Sequence, residues 1–347
     1  MPRSGPLTAA LAPRVRRPRV SVFGAAGYTG ALAAMLLQRH PWFELAALTA
    51  RSEAGRTLEE LYPHYRVPLA LEELDIERHA DVDAAVVAYP HGAAALLVSE
   101  LRERGVKVVD LSADFRLRDV ATYEEWYRPH PAPDLLAQAV YGLPELYRDR
   151  LRGADLVANP GCYPTATLLA LAPLAREGVI ADVVIDAKSG VSGAGRAATD
   201  KTHFVAVDEN VSAYGVPYHR HTPEIEQELA ALGAEVRVTF TPHLLPLDQG
   251  ELVSCYVTLT AAADDLDLDE LYAEAYADEL FVELADSPPG VRAVRETNIC
   301  RISVHRDERT GRAIVFAAID NLWKGSSSEA IQNLNLMFGL DEAEGLR

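Results

Sequence analysis

Arg19-Val-Ser-Val-Phe23 runs into Gly24-Ala-Ala-Gly-Tyr-Thr-Gly30 and then into Ala31–Arg39. The first segment is a short apolar strand and the last a helical pattern. Gly24, Gly27 and Gly30 therefore fall where a strand turns into a helix. Phosphate binding needs such a place: without Cβ atoms the backbone can approach a pyrophosphate, and the helix N-terminus supplies N–H donors. The G-x-x-G-x-x-G spacing is a variant of the usual dinucleotide fingerprint. Its place after the first strand of an alternating pattern strengthens it. Ala26, Tyr28 and Thr29 share the loop and join the glycines as expected cofactor contacts.

The pattern continues outward. Phe43–Thr49, Ala84–Ala88 and Val106–Leu111 are apolar strands, with a helix across Ala93–Arg104. Continuously apolar strands alternating with helices predict a parallel, doubly wound sheet of Rossmann type. After about residue 160 the character changes. Val183–Lys188, Ala234–Thr241, Leu252–Thr260, Asn298–His305 and Ala313–Ile319 read as strands, and Pro223–Leu232 and Leu268–Leu280 as helices. This predicts an α+β unit with a mostly antiparallel sheet. The final helix, Glu329–Phe338, is expected to pack back on the first unit. The chain is thus divided into a disordered tail (1–18), a dinucleotide-binding domain (19–160 with 325–347) and a catalytic domain (161–324). A length of 347 residues agrees with two domains.

Lys plus Arg is 33 and Asp plus Glu is 51, a net charge of −18. So acidic a chain is a poor candidate for nucleic acid or anionic membranes. No apolar stretch is long enough to span a bilayer. Residues 1–18 lack the apolar core of a signal peptide; a disordered tail or a start codon assigned too early explains them. Three scattered cysteines argue for a reducing compartment. No metal is expected.

Cofactor preference is read at the end of the second strand, Leu48-Thr-Ala-Arg-Ser52. A site for NAD places an acid there; Arg51 and Ser52 instead suit a 2′-phosphate, and Glu53 comes one position late. This predicts NADP(H), against the plainer alternative that Arg51 is a surface residue.

The chemistry is expected around Asn159-Pro-Gly-Cys-Tyr-Pro-Thr165. Cys162 follows a Pro-Gly turn and starts a helix, where the dipole and unpaired N–H groups favour a thiolate and can hold an oxyanion. A proton shuttle is offered by Gly215-Val-Pro-Tyr-His-Arg-His-Thr-Pro-Glu-Ile225. Thr222 reads as an N-cap and Pro223 as the first helical residue, so His221 lies just outside a positive helix end and stays neutral. His219 is expected on the opposite side of the segment, and Arg220 could bind an anion. Ser189-Gly-Val-Ser-Gly-Ala-Gly-Arg196 follows a strand and forms a polar cradle for a phosphate or nicotinamide; Ser189, Gly190, Ser192 and Gly193 are placed on the cofactor and Arg196 on the substrate. Ser112 and Arg116 end the strand Val106–Leu111 and should face the cleft, with a local ion pair as the alternative for Arg116.

These pieces, with Tyr141-Gly-Leu-Pro-Glu145 and Asp320-Asn-Leu-Trp-Lys-Gly325, resemble the N-acetyl-gamma-glutamyl-phosphate reductase family of the aspartate-semialdehyde dehydrogenase-like superfamily, from about Arg19 to Leu340. The resemblance implies that Cys162 attacks an acyl phosphate, releases inorganic phosphate and forms a thioester. NADPH then reduces the thioester, with His221 handling the proton. It implies that Asn321 and Lys324 lie near the cofactor, that Asn159 belongs to the substrate site, and that the enzyme is a cytoplasmic homotetramer or homodimer built through the second domain. Rival readings are a carrier-linked aminoadipyl-phosphate reductase, whose branch lacks the Tyr163-Pro164 pair found here, an aspartyl-phosphate reductase, a Cys–His hydrolase and an NADP-binding redox sensor without turnover.

Overall fold

The first sheet is built from strands so apolar that both faces must be covered. Its members are β1 (Arg19–Phe23), β2 (Glu44–Thr49), β3 (Leu71–Glu72), β4 (Ala84–Val87), β5 (Lys107–Asp110), β6 (Val140–Tyr141) and β7 (Leu156–Ala158). They lie in the order β3-β2-β1-β4-β5-β7-β6, and every pairing is parallel. Side chains alternate as the pleat requires. Val20, Val22 and Leu48 enter one apolar cluster with Leu32 and Leu37; Phe23, Val87 and Val108 enter another with Val98 and Leu101. The C-terminal helix Ser328–Met337 adds Ile331, Leu334 and Met337 to the first cluster, so it packs on this sheet as expected. This computed structural model describes residues 16–347; the rest of the expected tail, residues 1–15, lies outside the described residues.

The second sheet comprises β8 (Ile180–Gly190), β9 (Ser212–Ala213), β10 (Val238–Leu245), β11 (Glu251–Leu259), β12 (Val282–Leu284), β13 (Cys300–Asp307) and β14 (Arg312–Ile319), in the order β12-β13-β14-β11-β8-β10-β9. It is mixed. β8–β11, β11–β14, β13–β14 and β9–β10 are antiparallel, but β8–β10 and β12–β13 are parallel. The helix Thr222–Leu232 lies on the connection that brings β10 back alongside β8, as a parallel pair demands. That helix ends at Gly233, whose φ of 114° only glycine adopts freely, and β10 begins later than the sequence pattern suggests. Strands β3, β6, β7, β9 and β12 are two or three residues long, too short for alternation to reveal. The helix Cys162–Arg176 lies across the second sheet, with Leu169, Leu171 and Ala175 against Ile185, Val253 and Val315. No helix among the described residues is long and apolar enough to cross a membrane.

Candidate active site

A cleft of about 1400 Å³ opens where the strand order turns, between β1 and β4. Ligands bind at such a switch point because adjacent loops diverge there. The helix Tyr28–Arg39 starts at its rim with Gly27 as N-cap, and no side chain caps it. Gly27, Tyr28 and Thr29 line the cleft. Gly24 and Gly30 act one layer behind: Gly24 sits at φ 86°, and a Cβ on Gly30 would fall 2.4 Å from the Gly24 carbonyl oxygen. Ala26 is turned away, its carbonyl accepting the Tyr62 hydroxyl at 2.9 Å.

Opposite lies the cradle that follows β8. Ser189, Ser192 and Gly193 line the cleft; Gly190 does not, because it packs on Asp248, whose oxygen would be 2.5 Å from a Cβ there. Asn321 ties the cradle down, donating to Ser192 Oγ at 3.0 Å and accepting from Gly250 N–H at 2.8 Å. A bare helix N-terminus facing a glycine-serine cradle fits a dinucleotide phosphate. Arg51 and Ser52 are exposed in the loop after β2 and lie outside the cleft lining. Glu53 is held by Arg56 at 2.9 Å and Arg196 at 2.7 Å. Arg196 lines the cleft and reaches from the cradle towards the β2 loop.

The cysteine corner is built from buried polar contacts. Gly161 caps the Cys162–Arg176 helix. A Cβ on Gly161 would sit 2.5 Å from His221 Nε2 and 2.9 Å from an Arg116 nitrogen, so glycine allows both to close on the corner. A Cβ on Gly325 would sit 2.8 Å from Cys162 Cβ. Glu224 accepts from Gly161 N–H and from the Tyr141 hydroxyl, each at 2.9 Å, and pairs with Arg116 at 3.4 Å. Arg116 also donates to the Asn159 carbonyl at 2.7 Å and the Leu111 carbonyl at 2.9 Å. Arg220 lies over the Tyr127 ring at 5.5 Å. Cys162, His219, Arg220, His221 and Arg116 all line the cleft.

Several expectations need correction. His219 is not on the far side of its segment: its Nδ1 accepts from His221 N–H at 3.2 Å, the two rings are 4.9 Å apart, and both meet Tyr163 edge-on. The N-cap is His221, not Thr222, which begins the helix with its hydroxyl buried and without a partner. His221 is held neutral chiefly by burial, then by His219 and Arg116. His219 is pushed down to about 4 by burial and Arg220. Cys162 is not a favoured thiolate. Burial, and then Glu251, raise its thiol well above the ordinary value. Among the N–H groups at this helix start, that of Gly161 is taken by Glu224.

Three residues placed at the site lie behind it. Lys324 is fully buried, bonded to Glu145 at 2.7 Å and Gln332 at 2.9 Å, with Glu329 at 3.7 Å. A lone ammonium so deep must be paired, and with these partners it does not reach the cleft lining. Ser112 donates to Asp110 at 2.6 Å inside the β5 turn. Asn159 donates to Ser326 O at 3.2 Å and accepts from Asn333 at 3.0 Å. Sequence reading missed His91, Tyr127, Glu224 and Glu251. His91 lines the cleft and is pushed down to about 3 by burial and Arg116. Glu224 was visible only as the acid after Thr-Pro, and Glu251 only as a charge opening an apolar strand.

Comparison with known proteins adds independent findings. The profile described as "Semialdehyde dehydrogenase, NAD binding domain" matches residues 19–154, and "Semialdehyde dehydrogenase, dimerisation domain" matches 162–321. The chain is 53% identical to N-acetyl-gamma-glutamyl-phosphate reductase of Desulforudis audaxviator, over 94% of this chain and 97% of that one. It is 50% identical to the protein of that name from Moorella thermoacetica, with the same coverage. In fold it resembles aspartate semialdehyde dehydrogenase II of Vibrio cholerae, with a TM-score of 0.71 at 20% identity over 94% and 99% of the chains. It also resembles the Candida albicans aspartate semialdehyde dehydrogenase solved with NADP, with a TM-score of 0.68 at 15% identity over 93% and 99%.

Proposed function

The chain belongs to the N-acetyl-gamma-glutamyl-phosphate reductase family, and from that membership and the cysteine corner we propose that it reduces N-acetyl-L-glutamyl 5-phosphate to N-acetyl-L-glutamate 5-semialdehyde with NADPH, releasing phosphate, in arginine biosynthesis. The observation that carries the reading is one cleft holding the Cys162 thiol, the neutral His221 ring and the bare N-terminus of Tyr28–Arg39. Uniform naming of the relatives disfavours the aminoadipyl and aspartyl alternatives, and an enzyme disfavours the redox sensor.

Cys162 Sγ attacks the acyl carbon; the bond to the phosphate oxygen breaks and phosphate leaves with the electron pair. The thioester so formed holds the acyl group against the cofactor wall. Bound NADPH supplies hydride to that site. His221, kept neutral at rest by burial, takes up and hands on a proton at the reacting oxygens. Arg116 and Arg220 set a positive field for the anionic substrate. Gly27, Tyr28 and Thr29 hold the pyrophosphate, Ser189, Ser192, Gly193 and Asn321 the nicotinamide side, and Arg51 and Ser52 the 2′-phosphate. Residues 19–160 with 325–347 carry the cofactor, and 161–324 carry catalysis and assembly into a homodimer or homotetramer. The cytoplasm is the matching compartment, since the three cysteines are free thiols.

The test is phosphate-dependent reduction of NADP⁺ with N-acetylglutamate semialdehyde, beside aspartate semialdehyde. Turnover strongly favouring the acetylated aldehyde is expected. Equal or reversed preference overturns the assignment.

A further inference from the structure

His91 follows β4, on the loop that leads into the helix Ala95–Glu103. β4 and β5 are parallel neighbours, so the loops after them meet at one edge of the sheet. Asp114, after β5, pins the loop after β4: its carboxylate accepts from the N–H groups of Gly92, Ala94 and Ala95, the last two at 3.0 and 3.1 Å. The His91 ring is pinned as well, its Nδ1 accepting from Ala113 N–H at 3.0 Å. A backbone N–H can only donate, so Nδ1 is the bare nitrogen and the ring proton sits on Nε2. That Nε2–H has no acceptor among the described residues, and His91 lines the cleft. It is a donor held in place at backbone and ring before any ligand arrives.

Two cations flank it. Arg116 belongs to the turn that holds the ring, its own N–H donating to the Ala113 carbonyl at 3.3 Å. Its guanidinium reaches the cysteine corner, within 2.9 Å of the point where a Gly161 Cβ would lie. On the other side, Tyr127 meets the His91 ring edge-on at 6.2 Å and carries the Arg220 guanidinium over its own face at 5.5 Å. The Tyr127 hydroxyl also donates to the Arg220 carbonyl at 3.3 Å. All of these residues line the cleft with Cys162. Resting on the reductase reading above, we propose that the His91 Nε2–H donates to a phosphoryl oxygen of the acyl phosphate, and then to the departing inorganic phosphate, between the Arg116 and Arg220 charges.

The chemistry of the three groups fits a phosphoryl group better than a carboxylate. A carboxylate has two oxygens, which one guanidinium fork satisfies; a phosphoryl group has three outer oxygens and up to two charges. Arg116 already directs N–H groups to Glu224, Asn159 and Leu111, so it offers charge more than free donors. His91 offers the free, directed donor. Burial, then Arg116 and Arg220, push its ring down to about 3, which agrees with the tautomer set by Ala113. It keeps its proton and adds a hydrogen bond without a third positive charge. The phosphate is thereby oriented for departure from the acyl carbon and is not held by a full ion pair on that side.

The experiment titrates inorganic phosphate onto the NADP⁺-saturated enzyme and reads its Kd by phosphorus NMR line broadening. With the dinucleotide loop filled by the cofactor, added phosphate reports the anion site beside Cys162. Two variants separate the two contacts of the ring. His91→Asn keeps an oxygen able to accept from Ala113 N–H but ends short of Nε2. His91→Gln reaches the Nε2 position with an amide N–H but gives up the Ala113 contact. His91→Asn should weaken phosphate roughly ten- to hundredfold, the range of a hydrogen bond to a charged group, with the NADP⁺ Kd unchanged. His91→Gln should recover most of the affinity and stands in if the Asn variant does not fold. Parent-like phosphate binding in His91→Asn overturns the proposal. So do equal losses in both variants, which would mean that the ring only shapes its loop, and a loss of NADP⁺ affinity in place of phosphate affinity. A parent that binds no phosphate overturns it too. No turnover is needed, so these results leave the reductase assignment to its own assay, and absence of reductase turnover in the parent leaves this measurement intact.

Discussion

The cysteine corner and the loop after β2 hold their polar groups in opposite ways. At the corner, Gly161, Glu224 and Arg116 are buried and interlocked by hydrogen bonds and an ion pair, and the His221 ring closes against Gly161. In the loop, Arg51 and Ser52 are exposed, and the ordered contacts belong to their neighbours Glu53, Arg56 and Arg196. Buried polar contacts act at low dielectric and cannot be replaced by water; exposed ones compete with water and salt. The proposed chemistry is therefore held by structure, while the proposed cofactor preference rests on a few loosely held charges.

The comparison breaks first at the sulfur. Cys162→Ser should lose on the order of 10⁴–10⁶-fold in kcat, since removing a nucleophile disables the whole unit, while the NADPH Kd by fluorescence stays near the parent's. Near-normal turnover would remove Cys162 from the mechanism.

His221→Asn should lower kcat by about 10²–10⁴-fold with little change in KM. His219→Asn should do less, because His219 meets the reaction through the N–H of His221. The reverse ranking would exchange their roles. Because both rings are held neutral, kcat/KM should show no histidine-like step between pH 6 and 7. A clear step there in a pH–rate profile would mean that one of them charges in the free enzyme.

Lys324→Met separates fold from cofactor. It leaves Glu145 and Glu329 facing each other in the core and should cost about 3–5 kcal/mol of stability in denaturant melts. The NADPH KM of the surviving folded fraction should stay unchanged. A large rise in KM with unchanged stability would return Lys324 to the cofactor site.

Gly161→Ala probes the tolerance of the corner. A methyl 2.5 Å from His221 Nε2 must displace the ring, and a displacement of about 1 Å costs on the order of 10²-fold in rate. Activity within a factor of three would show that the corner yields as easily as the loop.

The smallest effect belongs to the exposed side. Arg51→Ala should raise the NADPH KM only about two- to fivefold, the range of an exposed ion pair, and leave the NADH KM unaltered. Equal kcat/KM for both cofactors in the parent would end the NADP reading.

Much of this was legible because it is local. Runs such as Val20–Phe23 and Ala84–Val87 declare buried parallel strands by themselves, and the turn from β1 into a glycine-spaced helix marks the cofactor loop. Cys162 and His221 could be named because each sits at a helix start that its own neighbours announce. Lys324 and Asn159 were misplaced for the opposite reason. Their motif partners suggest a site, but their contacts, Glu145 and Gln332 for one, Ser326 and Asn333 for the other, come from distant chain segments.

By itself the sequence determined the alternation of strands and helices, the glycine loop and the residue types able to do acyl chemistry, because these follow from hydrophobic period, turn stereochemistry and helix-end dipoles within a few residues. Only the tertiary structure decided the ionisation of those residues. The thiol at a helix start reads as a thiolate until the fold buries it and sets the Glu251 charge of β11 nearby, which together raise it above its ordinary value. Burial and through-space charge depend on which strands become neighbours, and no short stretch of chain records that.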